Sequence, residues 1–422
     1  MNLNLKIIIL LLLANVALFG QLTKNVLFLG NSYTYANDLP LMVSKLAQST
    51  GDNLVYSNNT PGGYTLQGHS TNSASLNFIQ QGGWDYVVLQ DQSQRPSFPI
   101  SQVMVEVFPY AASLSNTIVQ YNPCAKPLFF MTWGRKYGDA GNCASWPPVC
   151  TYTGMDSLLN LRYRMMADSN DAYVSPVGAV WHYIRDNYSS IDLYSPDNSH
   201  PSLAGSYAAA CTFYSLVFQK DPTVISDDYG LSASDAINIR NAAKIIAFDS
   251  LAKWNVGSYL PKAAFTINQT AATIQFSNQS QYSSDYLWYF GDGDSSTVFE
   301  PSHIYAQSGT YTTMLKVSKC LNTDTISYKI TIAPDAINSS NFIKPILYPN
   351  PVMDVVNIKF DRKYAIKNIS IHTIDGKYIK RYNSIYTDNL ALDLKGIKSG
   401  LYFLSYEINN HIYQSRIVKI ED

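Results

Sequence analysis

The pattern of apolar residues changes near residue 260, and this change limits the possible folds more than any other feature of the chain. Between residues 25 and 257, short continuous apolar runs alternate with longer segments of helical period. The runs lie at residues 26–29, 86–89 and 127–131, and the helical segments include residues 39–48, 155–168 and 203–216. Short buried strands separated by helices are typical of a parallel sheet covered on both faces. We therefore predict a three-layer α/β domain, with its ligands bound at the carboxyl ends of the strands.

After residue 260 the helical period is lost, and short alternating strands follow one another, as at residues 273–276 and 311–317. Turn clusters such as Gly291-Asp-Gly-Asp294 separate these strands, and Asp375-Gly376 has the composition of a hairpin turn. The pattern predicts two small all-β sandwiches of immunoglobulin size. Residues 334–344, which are rich in Asn and Ser, form the predicted linker between them.

The first twenty residues have the composition of a secretory signal peptide, with an uncleaved anchor as the alternative. Lys6 precedes an apolar core at residues 7–13, and small residues follow the core. This core is too short to span a bilayer comfortably, and no later stretch is apolar enough for a membrane helix. A formal net charge of -1, with only 14% charged residues, argues against binding to nucleic acid. We predict an exported protein without a stable membrane span.

The five cysteines include no CxxC motif and no Cys/His cluster, so the sequence predicts no metal site. Export permits disulfides. Cys143 and Cys150 flank a short loop and are the first choice for a bridge. Cys124 with Cys211 is the second choice, and an odd number of cysteines leaves one unpaired within the chain.

Chemistry is expected where the first predicted strand ends. The strand runs directly into Gly30-Asn31-Ser32, and the next helix begins a few residues later, capped by Asn37 or Asp38. Ser32 therefore projects from the end of a strand. A serine hydroxyl in this position needs a base within hydrogen-bond reach before it can act as a nucleophile.

His200 is the predicted base among the six histidines. It lies in Asp197-Asn-Ser-His200, a polar loop ahead of a helical segment, where Asp197 can orient the imidazole and stabilise the imidazolium. The alternative is that Asp197 or Ser199 only caps the helix. Of the other histidines, His69 could line the pocket and His182 lies in a helical segment. The remaining three lie in the all-β part: His303, His372 and His411.

The region from residue 24 to residue 257 resembles the SGNH (GDSL-like) hydrolase family in the order of its motifs. Residues 30–32 correspond to the first block of that family, Thr60-Pro-Gly-Gly63 resembles its glycine block, and residues 197–200 correspond to the last block. The resemblance implies a flavodoxin-like parallel sheet and catalysis by Ser32 with the Asp-His pair. It also implies an oxyanion hole that includes the backbone amides of Ser32 and Gly63.

The third block departs from the family pattern, which expects Gly-x-Asn-Asp after a later strand. This chain has Gln90-Asp91-Gln92-Ser93-Gln94 at that place. A glutamine amide can donate to an oxyanion as an asparagine amide does, through one more rotatable bond. We choose Gln92 as the third oxyanion donor, and Gln90 and Gln94 stay open as alternatives.

The first part of the all-β region resembles a PKD domain, which we assign to residues 262–333. The resemblance depends on residues 288–297, which begin Trp-Tyr-Phe-Gly-Asp-Gly, and on Pro301-Ser-His-Ile-Tyr305. PKD modules in exported enzymes are mostly spacers or weak binders of carbohydrate and protein. Asp292 and His303 are accordingly predicted to have structural roles in the turn and the sandwich.

The end of the chain, residues 345–422, resembles the C-terminal sorting domain of the type IX secretion system. The matching positions run from Leu347-Tyr-Pro-Asn-Pro351 to Lys419. The resemblance implies handling by the type IX secretion machinery and passage across an outer membrane. It predicts a cell-surface or extracellular location.

Together these features predict a secreted serine esterase that uses no metal or other cofactor. Its substrate would be an acylated extracellular glycan or a small ester, with acetyl as the preferred acyl group. The alternative is an inactive SGNH-fold surface protein that binds carbohydrate or protein through its PKD module. Four aromatic residues near the predicted pocket could either stack on sugar rings or only pack: Tyr33, Tyr35, Tyr64 and Trp133.

Overall fold

A computed structural model of the chain describes residues 20–334, 343, 345–409 and 411–421. The predicted signal peptide and the predicted linker therefore lie almost wholly outside the described residues. The chain divides into two compact units. The first comprises Met1–Phe265, Gln279–Leu287 and Leu315–Ile326, and the second comprises Thr266–Asn278, Trp288–Met314 and Ser327–Asp422.

The first unit contains a parallel sheet whose strands alternate with helices. In chain order the elements are β1 (Thr23–Leu29), α1 (Ser32–Tyr35), α2 (Leu39–Ser49), β2 (Asn53–Asn59), α3 (Leu66–Thr71), α4 (Ser73–Gln81), β3 (Tyr86–Leu89), α5 (Ile100–Glu106), α6 (Phe108–Tyr121), β4 (Lys126–Phe130), α7 (Tyr152–Ser169), β5 (Tyr173–Ser175), α8 (Val177–Asn187), α9 (Leu203–Phe218) and α10 (Ala233–Ile246). Short 3-10 turns lie at Ala36–Asp38, Arg95–Ser97, Pro147–Val149, Pro222–Val224 and Phe248–Trp254. The strand order β2-β1-β3-β4-β5 is that of flavodoxin-like sheets. It confirms the predicted α/β fold.

Helices cover both faces of this sheet, because successive residues of a strand point to opposite sides. Val26 and Phe28 are buried in a core shared with α2, α8, α9 and α10. Leu27 and Leu29 are buried in a second core shared with α4, α5, α6 and α7. Full burial of each such side chain contributes roughly 1.5–3 kcal/mol. Burial on both faces therefore explains why β1 is apolar at each of residues 26–29.

Continuous apolar runs predicted β1, β3 and β4, whereas the sequence did not reveal β2 and β5. β2 lies at the edge of the sheet and is mostly polar, so no continuous apolar run marks it. β5 has only three residues, which is too short for a periodic signal. The predicted helices at residues 39–48, 155–168 and 203–216 all appear, each extended by one to three residues at one end or both.

The strands beyond the parallel sheet pair in antiparallel fashion and confirm the predicted all-β part. They are β6 (Phe265–Thr270), β7 (Thr273–Asn278), β8 (Asp285–Tyr289), β9 (Ser295–Ser296), β10 (Ser302–Ile304), β11 (Gly309–Lys319), β12 (Asn322–Ile332), β13 (Ile346–Tyr348), β14 (Val355–His372), β15 (Tyr378–Arg381), β16 (Ile385–Asp393), β17 (Gly400–Ile408) and β18 (His411–Lys419). Two sheets have the orders β10-β7-β6 and β12-β11-β8-β9. The last six strands form one sheet, since the 18-residue strand β14 pairs with β13, β15, β16 and β17.

Two disulfides and one free cysteine account for the five cysteines. Cys143 pairs with Cys150 as predicted. Cys124 pairs with Cys320, so the predicted bridge to Cys211 is wrong. Cys211 lies on α9, is fully buried among core side chains and stays free. The prediction sought partners only within the α/β region, whereas Cys320, between β11 and β12, belongs to the same compact unit as Cys124.

Candidate active site

Ser32 is the first residue of the one-turn helix α1, directly after the turn that follows β1. Asn31 caps this helix, because its Oδ1 accepts a hydrogen bond of 3.2 Å from the backbone N–H of Tyr33. Gly30 is needed in the turn, since a β-carbon there would lie 2.3 Å from Oγ1 of Thr34. Ser32 is therefore held at the carboxyl end of β1. As the first helical residue, it has a backbone N–H without an intrahelical acceptor.

Gln90 supports this turn from the end of β3. Its Oε1 accepts from the backbone N–H of Asn31 at 3.0 Å and from Oγ1 of Thr34 at 2.7 Å. Its Nε2 donates to Oδ1 of Asn31 at 2.7 Å and to the carbonyl oxygen of Asp91 at 2.8 Å. The side chain is fully buried, and these bonds occupy its amide. Gln90 therefore supports the turn at Ser32, and its amide has no hydrogen left for another ligand.

The loop that carries Asp197 and His200 is closed on itself. Oδ1 of Asp197 accepts from the backbone N–H of Ser199 at 3.0 Å and from that of His200 at 2.9 Å. The N-cap of α9 is Ser202, whose Oγ accepts from the backbone N–H of Gly205 at 3.1 Å. The alternative in which Asp197 or Ser199 only caps the helix is therefore wrong.

The structure brings Ser32, His200 and Asp197 together. Nε2 of His200 lies 2.9 Å from Oγ of Ser32, and Nδ1 lies 2.5 Å from Oδ2 of Asp197. Because Nδ1–H donates to the carboxylate, Nε2 can accept the serine proton. Partial burial opposes ionisation of Asp197, but hydrogen bonds from the His200 ring and from two backbone N–H groups outweigh it and hold its pKa below the ordinary value. The carboxylate beside the imidazole is therefore ionised.

Stacked aromatic rings support the loop that carries Asp197 and His200. The ring centroids of Tyr33 and Trp133 are 4.7 Å apart, and those of Trp133 and Trp181 are 3.8 Å apart. The indole N–H of Trp133 donates to the carbonyl oxygen of Ser199 at 3.1 Å, and the hydroxyls of Tyr33 and Ser199 are 2.6 Å apart. Tyr33 and Trp133 are both buried, so they are packing residues and present no face to a sugar ring.

The other two aromatic residues named from the sequence differ from each other. Tyr64 packs edge-on against His69, and its hydroxyl accepts from Nδ2 of Asn72 at 3.0 Å. Tyr35 is 54% exposed. Of the four, Tyr35 is therefore the most exposed.

A groove of about 230 Å³ opens at Ser32. His200, Gly63 and Gln92 line it, so the predicted nucleophile, base and oxyanion residues surround one space. Gly63 has a φ of +67°, a left-handed conformation that glycine adopts without steric cost. Neither Gln90 nor Gln94 lines this groove.

The amides of Gln92 and Gln94 are linked to each other. Nε2 of Gln92 donates to Oε1 of Gln94 at 3.0 Å, and Oε1 of Gln92 accepts from the backbone N–H of Gln94 at 2.8 Å. Nε2 of Gln94 donates in turn to Oδ2 of Asp139 at 2.7 Å. Gln92 therefore stays our candidate for the oxyanion, with its amide held by Gln94.

Two other histidines of the α/β domain have structural partners. His69 is buried between Oγ of Ser75 and the carbonyl oxygen of Gly30, each at 2.8 Å, and burial lowers its pKa to about 4. It is neutral and braces the strand end ahead of Ser32. His182 lies 2.8 Å from Oδ2 of Asp156, and this hydrogen bond raises the pKa of His182. Neither histidine lines the groove.

Within the described part of the chain, one group of side chains has the spacing of a metal site: Asp292, Asp294 and His303. Their ligand atoms lie within 4.8 Å of one another. Nε2 of His303 is 2.6 Å from Oδ2 of Asp292, and the His303 ring stacks on Phe290 at 4.0 Å. These contacts agree with the structural roles predicted for Asp292 and His303.

Two residues of the groove were not predicted from the sequence, Ser93 and Arg135. Ser93 is buried, and it belongs to the glutamine segment that was examined only for amides. Arg135 follows β4 and lies in a long connection without periodicity. The rule that ligands bind at the carboxyl ends of parallel strands could have indicated it.

Comparison with known families identifies the all-β part. Residues 260–332 match the PKD domain, and residues 346–421 match the secretion system C-terminal sorting domain. Both resemblances predicted from the sequence are thereby confirmed. The sorting domain indicates export through the type IX system to the cell surface or the extracellular space. None of the helices that the structure describes has the length and apolar character needed to cross a bilayer.

Solved structures similar to this chain include a DUF4886 family protein from Bacteroides uniformis. It is 16% identical, with a TM-score of 0.46, over 56% of this chain and 96% of its own. A candidate SGNH hydrolase from Slackia heliotrinireducens is 24% identical, with a TM-score of 0.38, over 46% of this chain and 97% of its own. The collagenase ColA of Bacillus cereus is 35% identical over 65 residues, or 15% of this chain. The aligned part spans 7% of that curated relative.

Proposed function

We propose that the protein is a secreted serine ester hydrolase of the SGNH type. Ser32 is its nucleophile, His200 its general base, and Asp197 the residue that orients the base. The observation that carries this proposal is the pair of distances at the imidazole, 2.9 Å to Oγ of Ser32 and 2.5 Å to Oδ2 of Asp197. A serine within reach of a histidine that a carboxylate orients is the arrangement that nucleophilic acyl transfer requires.

In the first half-reaction, Oγ of Ser32 attacks the carbonyl carbon of the ester while Nε2 of His200 takes the hydroxyl proton. Asp197 accepts from Nδ1–H and stabilises the imidazolium. As the tetrahedral intermediate collapses, His200 gives its proton to the leaving alcohol, and the acyl group stays on Ser32. In the second half-reaction, His200 takes a proton from water, and the resulting hydroxide attacks the acyl carbonyl. As this tetrahedral intermediate collapses, the bond from the acyl carbon to Oγ of Ser32 breaks, His200 returns its proton to Oγ, and the acid leaves.

The oxyanion is stabilised by the backbone N–H groups of Ser32 and Gly63 and by the amide of Gln92. An amide nitrogen carries two hydrogens, so Nε2 of Gln92 can keep its bond to Gln94 and exchange its longer bond of 3.4 Å to Oγ of Ser93 for one to the oxyanion. The bond to Gln94 then preorganises the donor. Preorganised donors in a partly dry groove stabilise developing charge more than water does.

The groove is small, which favours a short acyl group such as acetyl. Export to the cell surface supports an extracellular glycan or a small ester as the substrate. The exposed ring of Tyr35, three residues after the nucleophile, could contact a sugar. Release of acetate from a panel of acetylated polysaccharides would identify the substrate.

Hydrolysis of 4-nitrophenyl acetate tests the proposed chemistry. Ser32→Ala should lower kcat by at least about a thousandfold, because the nucleophile is lost. Ser101→Ala is the matched control, since Ser101 is exposed on α5 and should leave the rate unchanged. A fluorophosphonate should label the wild type at Ser32 and not label the Ser32→Ala variant. Equal rates for wild type and Ser32→Ala would exclude the esterase and favour the binding protein.

A further inference from the structure

Arg135 lines the groove but has no part in the mechanism above. Its loop is tied to the catalytic loop, because the backbone N–H of Lys136 donates to the carbonyl oxygen of Asn198 at 2.9 Å. It is also tied to α7, since the backbone N–H of Gly134 donates to Oδ1 of Asp156 at 3.3 Å. The backbone on both sides of Arg135 is therefore anchored relative to the nucleophile and the base.

The protein leaves at least one donor of Arg135 unsatisfied. Nη1 donates to Oδ1 of Asp139 at 3.3 Å, and Nε is buried without a hydrogen-bond partner. Because 30% of the side chain is exposed and Nε is not, a ligand in the groove has to meet the terminal nitrogens Nη1 and Nη2. Asp139 is fully buried, and it accepts shorter bonds of 2.7 Å each from Gln94 and Asn142. Since a guanidinium has five N–H donors in a planar fork, Arg135 can keep its contact with Asp139 and still bind a second anion.

The charges around the groove favour such an anion. Nine described residues line the groove, and none of them is acidic. Arg135 is the one among these nine with a permanent positive charge. A group bound beside Ser32 therefore meets a fixed cation without a competing carboxylate on the groove wall.

We propose that Arg135 selects substrates that carry a carboxylate close to the scissile ester. This inference rests on the proposed esterase function and names the substrate class of the same site. The two oxygens of a carboxylate match the paired N–H groups of a guanidinium, which a neutral hydroxyl or ester cannot do. The carboxylate can belong to the alcohol, as in an acetylated uronic acid, or to the acyl group, as in a hemiester of a dicarboxylic acid.

Two pairs of substrates distinguish these sources in assays of the full-length chain. The first pair is an O-acetylated methyl glucuronoside and its methyl ester, and the second is 4-nitrophenyl hemisuccinate and its methyl ester. In one of the two pairs, the kcat/KM of the wild type should be about tenfold to a hundredfold higher for the free acid than for the methyl ester. This is the range expected for a hydrogen bond to a charged group. High ionic strength should reduce the preference.

Variants of Arg135 test whether this side chain is the cause. Arg135→Gln should bring the ratio of free acid to methyl ester close to one, and Arg135→Lys should retain part of the preference. Because Arg135→Gln leaves the buried carboxylate of Asp139 without its cation, the double variant Arg135→Gln/Asp139→Asn is measured alongside it, with thermal unfolding as the check of folding.

The inference is overturned if the wild type shows a ratio near one in both pairs, or if the double variant keeps the ratio of the wild type. Normal hydrolysis of 4-nitrophenyl acetate in that case leaves the proposed function standing. A wild type that hydrolyses no ester removes the proposed function and this inference together.

Discussion

Two carboxylates near the groove lie in opposite environments at the scale of single residues. Asp197 is half exposed and ionised beside His200. Asp91 is fully buried after β3, where its Oδ1 accepts from the backbone N–H groups of Gln92 at 2.6 Å and Leu66 at 3.3 Å. Its Oδ2 has no partner, and burial raises the pKa of Asp91 to about 6 in spite of these bonds. Asp91 therefore positions the segment that carries Gln92, and its charged form lowers the stability of the folded state.

The folded state binds a proton on Asp91 more tightly than the unfolded chain, because the folded pKa is the higher of the two. The stabilisation is full below the unfolded pKa and is lost as pH rises through about 6. Asp91→Asn should keep the hydrogen bonds from the backbone and remove this loss of stability. From pH 4 to pH 7, the free energy of unfolding of the variant should therefore rise by about 2–3 kcal/mol relative to that of the wild type. Urea unfolding at both pH values measures it.

Asp52→Asn is the matched control for the pH experiment. Asp52 is ion-paired with Lys220 at 2.8 Å, and its hydrogen bonds outweigh burial and lower its pKa. Its stabilisation is therefore present above the unfolded pKa and lost as pH falls through the lower folded value. Because that loss falls below pH 4, Asp52→Asn should lower the free energy of unfolding by a nearly constant amount between pH 4 and pH 7, whereas Asp91→Asn should change its pH dependence. Parallel curves for wild type and Asp91→Asn would contradict the role of Asp91.

At the scale of elements, the ends of three parallel strands contribute to the site. Ser32 follows β1, Gln92 follows β3, and Arg135 follows β4. The carboxyl ends of neighbouring parallel strands meet at one edge of a sheet, so these side chains share one groove. His200 reaches the same edge from the loop ahead of α9, and the stack of aromatic rings that includes Trp133 supports this loop.

Trp133→Phe should impair the site through the loop. The change removes the indole donor to the carbonyl oxygen of Ser199, so we expect kcat/KM for 4-nitrophenyl acetate to fall by about tenfold and the free energy of unfolding by about 1–3 kcal/mol. Trp254→Phe is the matched control, because Trp254 is equally buried and donates to the carbonyl oxygen of Ile246 at 2.6 Å away from the groove. It should lose similar stability and keep its activity. Equal activity losses in both variants would refute a specific role for Trp133.

At the scale of the whole molecule, the candidate site and the C-terminal sorting segment belong to different compact units. The groove residues lie in the first unit, whereas the sorting segment at residues 346–421 lies in the second. The last six strands have their own core, which includes Val356, Ile366 and Leu404. The candidate site and the sorting segment therefore depend on separate hydrophobic cores.

Deletion of residues 345–422 should separate export from activity. Because none of the groove residues lies in that segment, activity on 4-nitrophenyl acetate in cell extracts should stay within about twofold of wild type. Activity at the cell surface and in the medium should disappear, since the sorting segment is missing. Esterase assays on the three fractions measure both effects. Continued export of the shortened chain would contradict the role of this segment.

Local patterns were sufficient for much of the fold and part of the site. Apolar runs predicted β1, β3 and β4, because a strand buried on both faces must be apolar at every position. Edge strand β2 escaped prediction for the opposite reason, since one of its sides meets solvent. The contact between Ser32 and His200 was implied by the resemblance of residues 30–32 and 197–200 to the first and last blocks of the SGNH family.

The sequence by itself determined the fold classes, the export signal and the residue types that could react, since periodicity and motifs are properties of neighbouring positions. Only the tertiary structure could show that the amides of Gln90, Gln92 and Gln94, which share one chemistry, have different hydrogen-bond partners. Only the tertiary structure likewise shows that Cys124 pairs with Cys320 and that Arg135 lines the groove. Each depends on which distant side chains meet within hydrogen-bond or bonding distance, and no local pattern records such a distance.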